Sequence, residues 1–372
     1  MSEGHVWLER LSCREYRNFE KLDLELPQSG LAIIGQNGQG KTNLLESIYY
    51  FQVLRSARGV RDQDLVRFGA RAFHIFARSV SDGRHEMSVG FETHGKKKKV
   101  TRDGAVASRL SEAFGSLPSV MFSPRDIQLI AGGPGERRRF LDLVLALSSR
   151  KYLAALQMYR ASLARRNAAL RDAARNGDES AVAVWEPALA EHGATLVCER
   201  ARWVGERANE FSRLSAAIGE QGESRMAYHS ATLREAEPRA ALTQSLARQR
   251  RHDMRRGITH SGPHRDDLSL TLDGKDLRLF GSAGQQRTAA IALRMLEGAT
   301  LRETRSLAPL LLLDDPFAEL DVRRSAKILG LLQRSGLGQT ILVVPRASDI
   351  PPELIELERR QIHGGAIGEV AA

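Results

Sequence analysis

The strongest constraint on this chain is a short glycine loop near its start. Gly35-Gln36-Asn37-Gly38-Gln39-Gly40-Lys41-Thr42 fits the pattern G-x-x-x-x-G-K-[ST]. An apolar run, Leu31 to Ile34, precedes it and reads as a buried strand. Asn43-Leu44-Leu45-Glu46-Ser47-Ile48-Tyr49 follows, with apolar side chains at helical spacing. Strand, loop and helix in that order are the context the pattern requires. The glycines let the backbone curl until successive N–H groups converge on one anion. The helix start adds free N–H groups and a positive dipole end. Lys41 is expected to reach the β- and γ-phosphates of a nucleotide, and Thr42 to ligate Mg²⁺. Asn43 opens the helix beside them.

A second stretch completes that chemistry. Leu310-Leu311-Leu312-Leu313-Asp314-Asp315 is an apolar run closed by two carboxylates. A run this apolar suits a parallel strand covered on both faces, and ligands gather at the carboxyl ends of such strands. Asp314 is expected to hold Mg²⁺ opposite Thr42, directly or through water. Asp315 is placed to orient or deprotonate an attacking water. Ser282-Ala283-Gly284-Gln285-Gln286 precedes a helical pattern and forms a second phosphate-facing start.

The chain has 372 residues, enough for two or three domains, with net charge +10 and a pI near 9.9. That balance suits a polyanionic partner or a protein that is simply basic; charge alone leaves both open. No window reaches the roughly 18 apolar residues of a membrane span. The start carries no export pattern, so a cytoplasmic protein with no membrane partner is expected. Cys13 and Cys198 are too far apart for a metal pair and read as small core residues.

Between the motifs the chain changes character twice. Trp7–Leu8 and Leu22 to Leu26 alternate like half-buried strands, and Arg17-Asn18 between them either sits near a nucleotide or caps a turn. Arg55, Arg58, Arg61 and Arg67 read as solvated surface. Short strands fill 72–106, with a tight hairpin at Asp103-Gly104. Lys96 to Lys99 read as edge-strand lysines or as contacts to a phosphate backbone. From Glu136 to about Ile218 the pattern is helical, with Tyr152, Leu156, Tyr159 and Leu163 on one stripe and Trp185, Leu189, Leu196 and Trp203 on another. Asn176-Gly177-Asp178 marks a helix–helix loop and Pro187 a first turn. Arg248, Arg250, Arg251, Arg255 and Arg256 are either a solvated helix face or a DNA contact.

Taken together, the glycine loop, Ser282 to Gln286, Asp314-Asp315 and Glu319-Leu320-Asp321 resemble the head of an ABC-type ATPase. Tyr16-Arg17-Asn18-Phe19, Phe122-Ser123-Pro124, Gly133-Pro134, Arg137-Arg138, Arg166-Asn167 and 262–268 narrow the resemblance to the RecF family. The resemblance implies an α/β fold: a P-loop ATPase head with an antiparallel β subdomain and an inserted α-helical lobe. Its expected divisions are 1–130, 131–250 and 251–372. It implies an ATP-dependent DNA-binding protein that works with RecR and RecO to load RecA on gapped DNA. It implies a homodimer in which Ser282, Gly284 and Gln285 of one protomer touch the γ-phosphate held by the other's loop. Weak, DNA-stimulated hydrolysis is expected, since Asp315 stands where many ABC-type enzymes carry Glu and Pro345-Arg346 stands where transport ATPases place a histidine. Ala57 replaces an expected Phe beside Arg58. Two alternatives remain at this point: a DNA clamp gated by ATP with negligible hydrolysis, and the nucleotide subunit of a transporter. Gln128 is a weak candidate for a metal-contacting glutamine.

Overall fold

The structure is a computed structural model and describes residues 4–317 and 322–369. Glu319-Leu320-Asp321 lies outside the described residues. The chain divides into two compact units, one of residues 1–125 with 297–372 and one of 126–296.

The first unit holds two six-stranded sheets. In one, the order is Ala366–Glu369, Glu358–His363, Gly30–Ile34, Thr340–Val344, Leu310–Asp314, Ser119–Phe122. All neighbours are parallel except the outermost hairpin. The glycine-loop strand and the acid-tipped strand are fully buried along their lengths, as their unbroken apolar runs require. They do not touch; Thr340–Val344 lies between them and sets their level. Val343 pairs with Ile33 on one side and with Asp314 on the other. The carboxyl end of each strand therefore opens at the same edge.

The other sheet is antiparallel, ordered Phe19–Glu25, Trp7–Tyr16, Ala72–Val80, Arg84–Glu92, Lys97–Arg102, Ala105–Val106. Its last turn, at Asp103-Gly104, has φ near +49° and +79°, the two left-handed residues a type I′ hairpin needs. Helix Lys41–Val53 packs against strands of both sheets, which is why Leu44, Leu45, Ile48, Tyr50 and Phe51 are all fully buried. Tyr16, Tyr50, Phe73 and Phe91 pack ring against ring beside it.

The second unit is the helical lobe, built from Pro134–Ser148, Arg150–Asn176, Glu186–Ile218 and Pro238–Arg256 with a small sheet on Asp267–Leu272. Gly177 ends the second helix with φ +75°, and Pro187 sits in the first turn of the third, as expected. Its interior is polar as well as apolar. Arg166 is fully buried and donates to Asp253 at 2.7 Å, Thr259 at 2.9 Å and Glu186 at 3.0 Å. Asn167 accepts from the Thr259 amide and hydroxyl. Arg200 donates to Asp142, Tyr152 and the Pro263 carbonyl. Arg137 forks onto Asp267, and Arg138 donates to the Asp266 carbonyl. His264 faces the Thr259 carbonyl through Nε2, which must therefore donate; Nδ1 then accepts from the Tyr159 hydroxyl. Burial pushes its pKa down to about 4, so the neutral ring that this pattern needs persists at neutral pH.

Two sequence expectations are corrected here. Cys198 is exposed, on the outer face of its helix, while Cys13 is buried. Lys98 is largely covered: it pairs with Asp62 at 2.7 Å and lies over the Tyr50 ring, whereas Lys97 and Lys99 face solvent.

Replacing Arg166 with Ala strands Asp253 and part of Glu186 in a dry interior. The expected loss is about 3–5 kcal/mol of unfolding free energy. Urea denaturation of the two proteins measures it; a loss under about 1 kcal/mol would mean the pair is solvated.

Candidate nucleotide site

The loop at 35–42 bends away from the end of its strand as a glycine loop should. Gly40 has φ +110°, and a Cβ there would lie 2.5 Å from the Asn18 side chain, so only glycine fits. Lys41 begins the helix and is 7% exposed. Its Nζ donates to the Gly35 carbonyl at 2.5 Å and the Gln36 carbonyl at 2.9 Å. Burial lowers its pKa, and the nearby charges of Asp314 and Asp315 oppose that shift. Thr42 Oγ1 donates to Asp314 Oδ1 at 3.1 Å. Asp314 is buried, and burial raises its carboxyl above the ordinary range against the pull of Thr42, Arg58 and Lys41. Asp315 turns the chain at once, with φ +46° and its amide bonded to the Val343 carbonyl. Asp tolerates that left-handed geometry better than most residues do.

These groups border a cavity of about 450 Å³, large enough for a nucleotide's phosphates. Asn37, Gly38, Gly40, Lys41, Thr42 and Asn43 line it together with Asp314 and Asp315. Gly35, Gln36 and Gln39 shape the loop from outside the cavity. Gln39 is clamped there: its carbonyl accepts from Asn18 and from the Gly365 amide, and its side chain accepts from the Gly364 amide. Asn43 in turn donates to Asn18 at 2.7 Å. Arg17-Asn18 forms the tight turn between the first two long strands, with Arg17 at φ +54°, and Asn18 lies against the loop.

Arg58 is a further correction. It is not solvated surface but borders the cavity, donating to Asn43 at 2.8 Å with its Nε 3.7 Å from Glu46. Glu46 is fully buried and also receives Arg17 at 2.9 Å and the Ser56 hydroxyl at 2.5 Å. No periodicity marks Arg58 in the sequence. Ser123, Pro124 and Arg125 also line the cavity. They were findable, since they follow the strand Ser119–Phe122 at the same carboxyl edge. Gln128 belongs to the other unit.

Ser282, Gly284 and Gln285 belong to the other unit. Ser282 is exposed and caps the helix Ala283–Arg305 reciprocally with Gln285: each side-chain oxygen accepts from the other's amide. Of the arginine cluster, Arg250 is tied to Glu186 at 2.7 Å and Arg251 to Glu179 at 3.1 Å, while Arg248, Arg255 and Arg256 are exposed. Among the described residues no group of three or more His, Cys, Asp or Glu is arranged to hold a metal ion, and no helix is long and apolar enough to cross a membrane.

The chain is similar to known proteins over nearly its whole length. Residues 7–350 match the RecF/RecN/SMC N terminal domain family. The DNA replication and repair protein RecF of Lachnoclostridium phytofermentans is 33% identical, over 94% of this chain and 95% of that protein. The RecF of Symbiobacterium thermophilum is 36% identical, over 88% of this chain and 89% of its own. The solved structure of the recombination mediator protein RecF with ATP, of the RecFOR pathway, superposes with a TM-score of 0.90 at 29% identity, covering 99% of this chain and 98% of that one. An Smc head domain from Pyrococcus furiosus shares the fold at a TM-score of 0.57 and 16% identity. The chain is thus an α/β P-loop head of the ABC type with an antiparallel β subdomain and an inserted helical lobe, and it belongs to the RecF family of DNA replication and repair proteins.

Proposed function

We propose that the protein binds ATP at the 35–42 loop and uses it to close two protomers on DNA, with slow hydrolysis as the release step. The observation that carries this reading is the 3.1 Å contact between Thr42 and Asp314 at the foot of the cavity. The loop amides and Lys41 hold the β- and γ-phosphates. Thr42 and Asp314 are hard oxygen donors and fit Mg²⁺, which needs only one or two protein oxygens when phosphates and water complete its shell. Held by Thr42 and Asp314, Mg²⁺ would supply positive charge against the charge of the phosphates. Asp315, at the same strand end, orients the attacking water. The exposed start of the Ala283–Arg305 helix, with Ser282, Gly284 and Gln285, meets the γ-phosphate of the partner protomer. DNA binds the basic faces; RecR and RecO are the partners, RecA loading is the outcome, and the cytoplasm is the setting.

The short carboxylate of Asp315 favours a second reading, a clamp gated by ATP that hardly turns over. Phosphate release separates the two. Wild type is expected to release phosphate slowly, faster with gapped DNA, and Lys41→Ala to fall to background. Wild-type release no higher than the Lys41→Ala background would leave only the clamp. Failure to bind gapped or duplex DNA at low salt, where phosphate contacts are strongest, would remove the DNA assignment.

Ser282→Arg is expected to abolish dimerisation by ATP while leaving nucleotide affinity nearly unchanged. Light scattering with a non-hydrolysable ATP analogue checks this, and a surviving dimer contradicts the trans contact.

Asp314 carries a stability cost that follows from its role. Its folded pKa lies above its unfolded one, so the folded state loses stability as pH rises through that interval and the penalty is constant above it. Asp314→Asn is therefore expected to raise the melting temperature of the nucleotide-free protein at pH 7. The gain shrinks as pH falls toward the ordinary carboxylate range. A melting curve that moves down at pH 7 would mean that the carboxylate is held by more than Thr42.

A further inference from the structure

Three cationic side chains border the cavity, and two of them are engaged. Lys41 is bonded to loop carbonyls, and Arg58 to Asn43 beside Glu46. Arg125 is different. Its side chain is exposed, and among the described residues its guanidinium has neither an ion-pair nor a hydrogen-bond partner. Its charge nevertheless lies close enough to Arg58 to oppose that residue's protonation.

The backbone beneath it is fixed. Ser119–Phe122 pairs in parallel with Leu310–Asp314, with Phe122 level with Leu313. Ser123 Oγ accepts from the Arg125 amide at 3.2 Å. The next residue, Asp126, is buried and ion-paired to Arg294 at 2.7 Å. An anchored backbone removes the main-chain share of the ordering cost and leaves the side chain's own rotamer freedom to be lost on binding. Arg125 follows the strand that pairs with the acid strand, two residues past the level of Asp314, and lines the cavity. The loop amides and Lys41 engage the β- and γ-phosphates from the loop, and the γ-phosphate carries three terminal oxygens, so oxygens remain for a donor that follows the strand paired with the acid strand.

We propose that Arg125 is a specificity-determining residue that contacts the terminal phosphate of the nucleotide held by its own protomer, so that this site separates a nucleoside triphosphate from a diphosphate. The assignment rests on the nucleotide reading above. The planar fork of arginine donates two parallel hydrogen bonds to a phosphate oxygen pair, which a lysine cannot. A diphosphate leaves Arg125 in solvent.

The test is equilibrium binding of a non-hydrolysable ATP analogue and of ADP, each with Mg²⁺, to the full chain at concentrations where light scattering shows monomers. Arg125→Ala is expected to weaken the analogue about tenfold or more and to leave ADP within about twofold. Unchanged ADP binding also shows that the variant is folded. Arg125→Lys keeps the charge without the fork and falls between. Equal weakening of both ligands, or of neither, overturns the assignment while the nucleotide site stands. If wild type binds neither ligand, the nucleotide reading itself is wrong and Arg125 falls with it.

Discussion

The contact between Thr42 and Asp314 joins residues 272 positions apart, and every other feature of the cavity depends on it. It exists because three parallel strands hold one register. Thr340–Val344 pairs with the loop strand on one side and the acid strand on the other. Strand side chains alternate faces, so a slip of one residue would exchange Asp314 for a leucine or for Asp315. Gln339, just before the middle strand, helps fix that level. Its buried amide accepts from the Leu8 N–H and donates to the carbonyls of Leu8 and Pro27, stitching the antiparallel sheet to the start of the parallel one. Helix Lys41–Val53, buried against both sheets, then leaves Thr42 no freedom to move away.

What was legible in the sequence is what local chemistry dictates. A glycine loop between an apolar run and a helical pattern has few other structures to adopt, and a leucine run ending in carboxylates has few other places to sit. The fates of the charged residues were not legible. Arg166 finds Asp253 across 87 positions, and Arg137 finds Asp267 across 130. No window of sequence contains both halves of such a pair. The same holds for Arg58, which looks like its surface neighbours until Asn43 and Glu46 are folded against it. Lys98 left a run of apparently solvated cations for the half-buried Asp62, and Arg250 left another for Glu186 and Glu179. The stretches 137–138, 166–167 and 262–268, which carry the family resemblance, are the polar interior of the helical lobe rather than a site.

Two ways of burying charge thus coexist in one chain. In the lobe, Arg166 has an acid or hydroxyl on each terminal nitrogen, and Arg200 is held by Asp142, Tyr152 and a carbonyl. Burial costs such groups less as more of their donors are met, although the Arg166 Nε is buried without a partner, and the reward is a single packed arrangement. At the cavity the balance differs. Lys41 is held only by carbonyl dipoles, and Asp314 by one hydroxyl hydrogen bond and distant cations. Burial pushes each toward its neutral form, Lys41 down and Asp314 up. Groups left short of partners in this way interact strongly with whatever enters, because the desolvation has already occurred. That asymmetry, rather than the presence of charge, distinguishes the site from the scaffold. It also explains why the lobe's many buried ion pairs, though more numerous, carry no comparable invitation to a ligand.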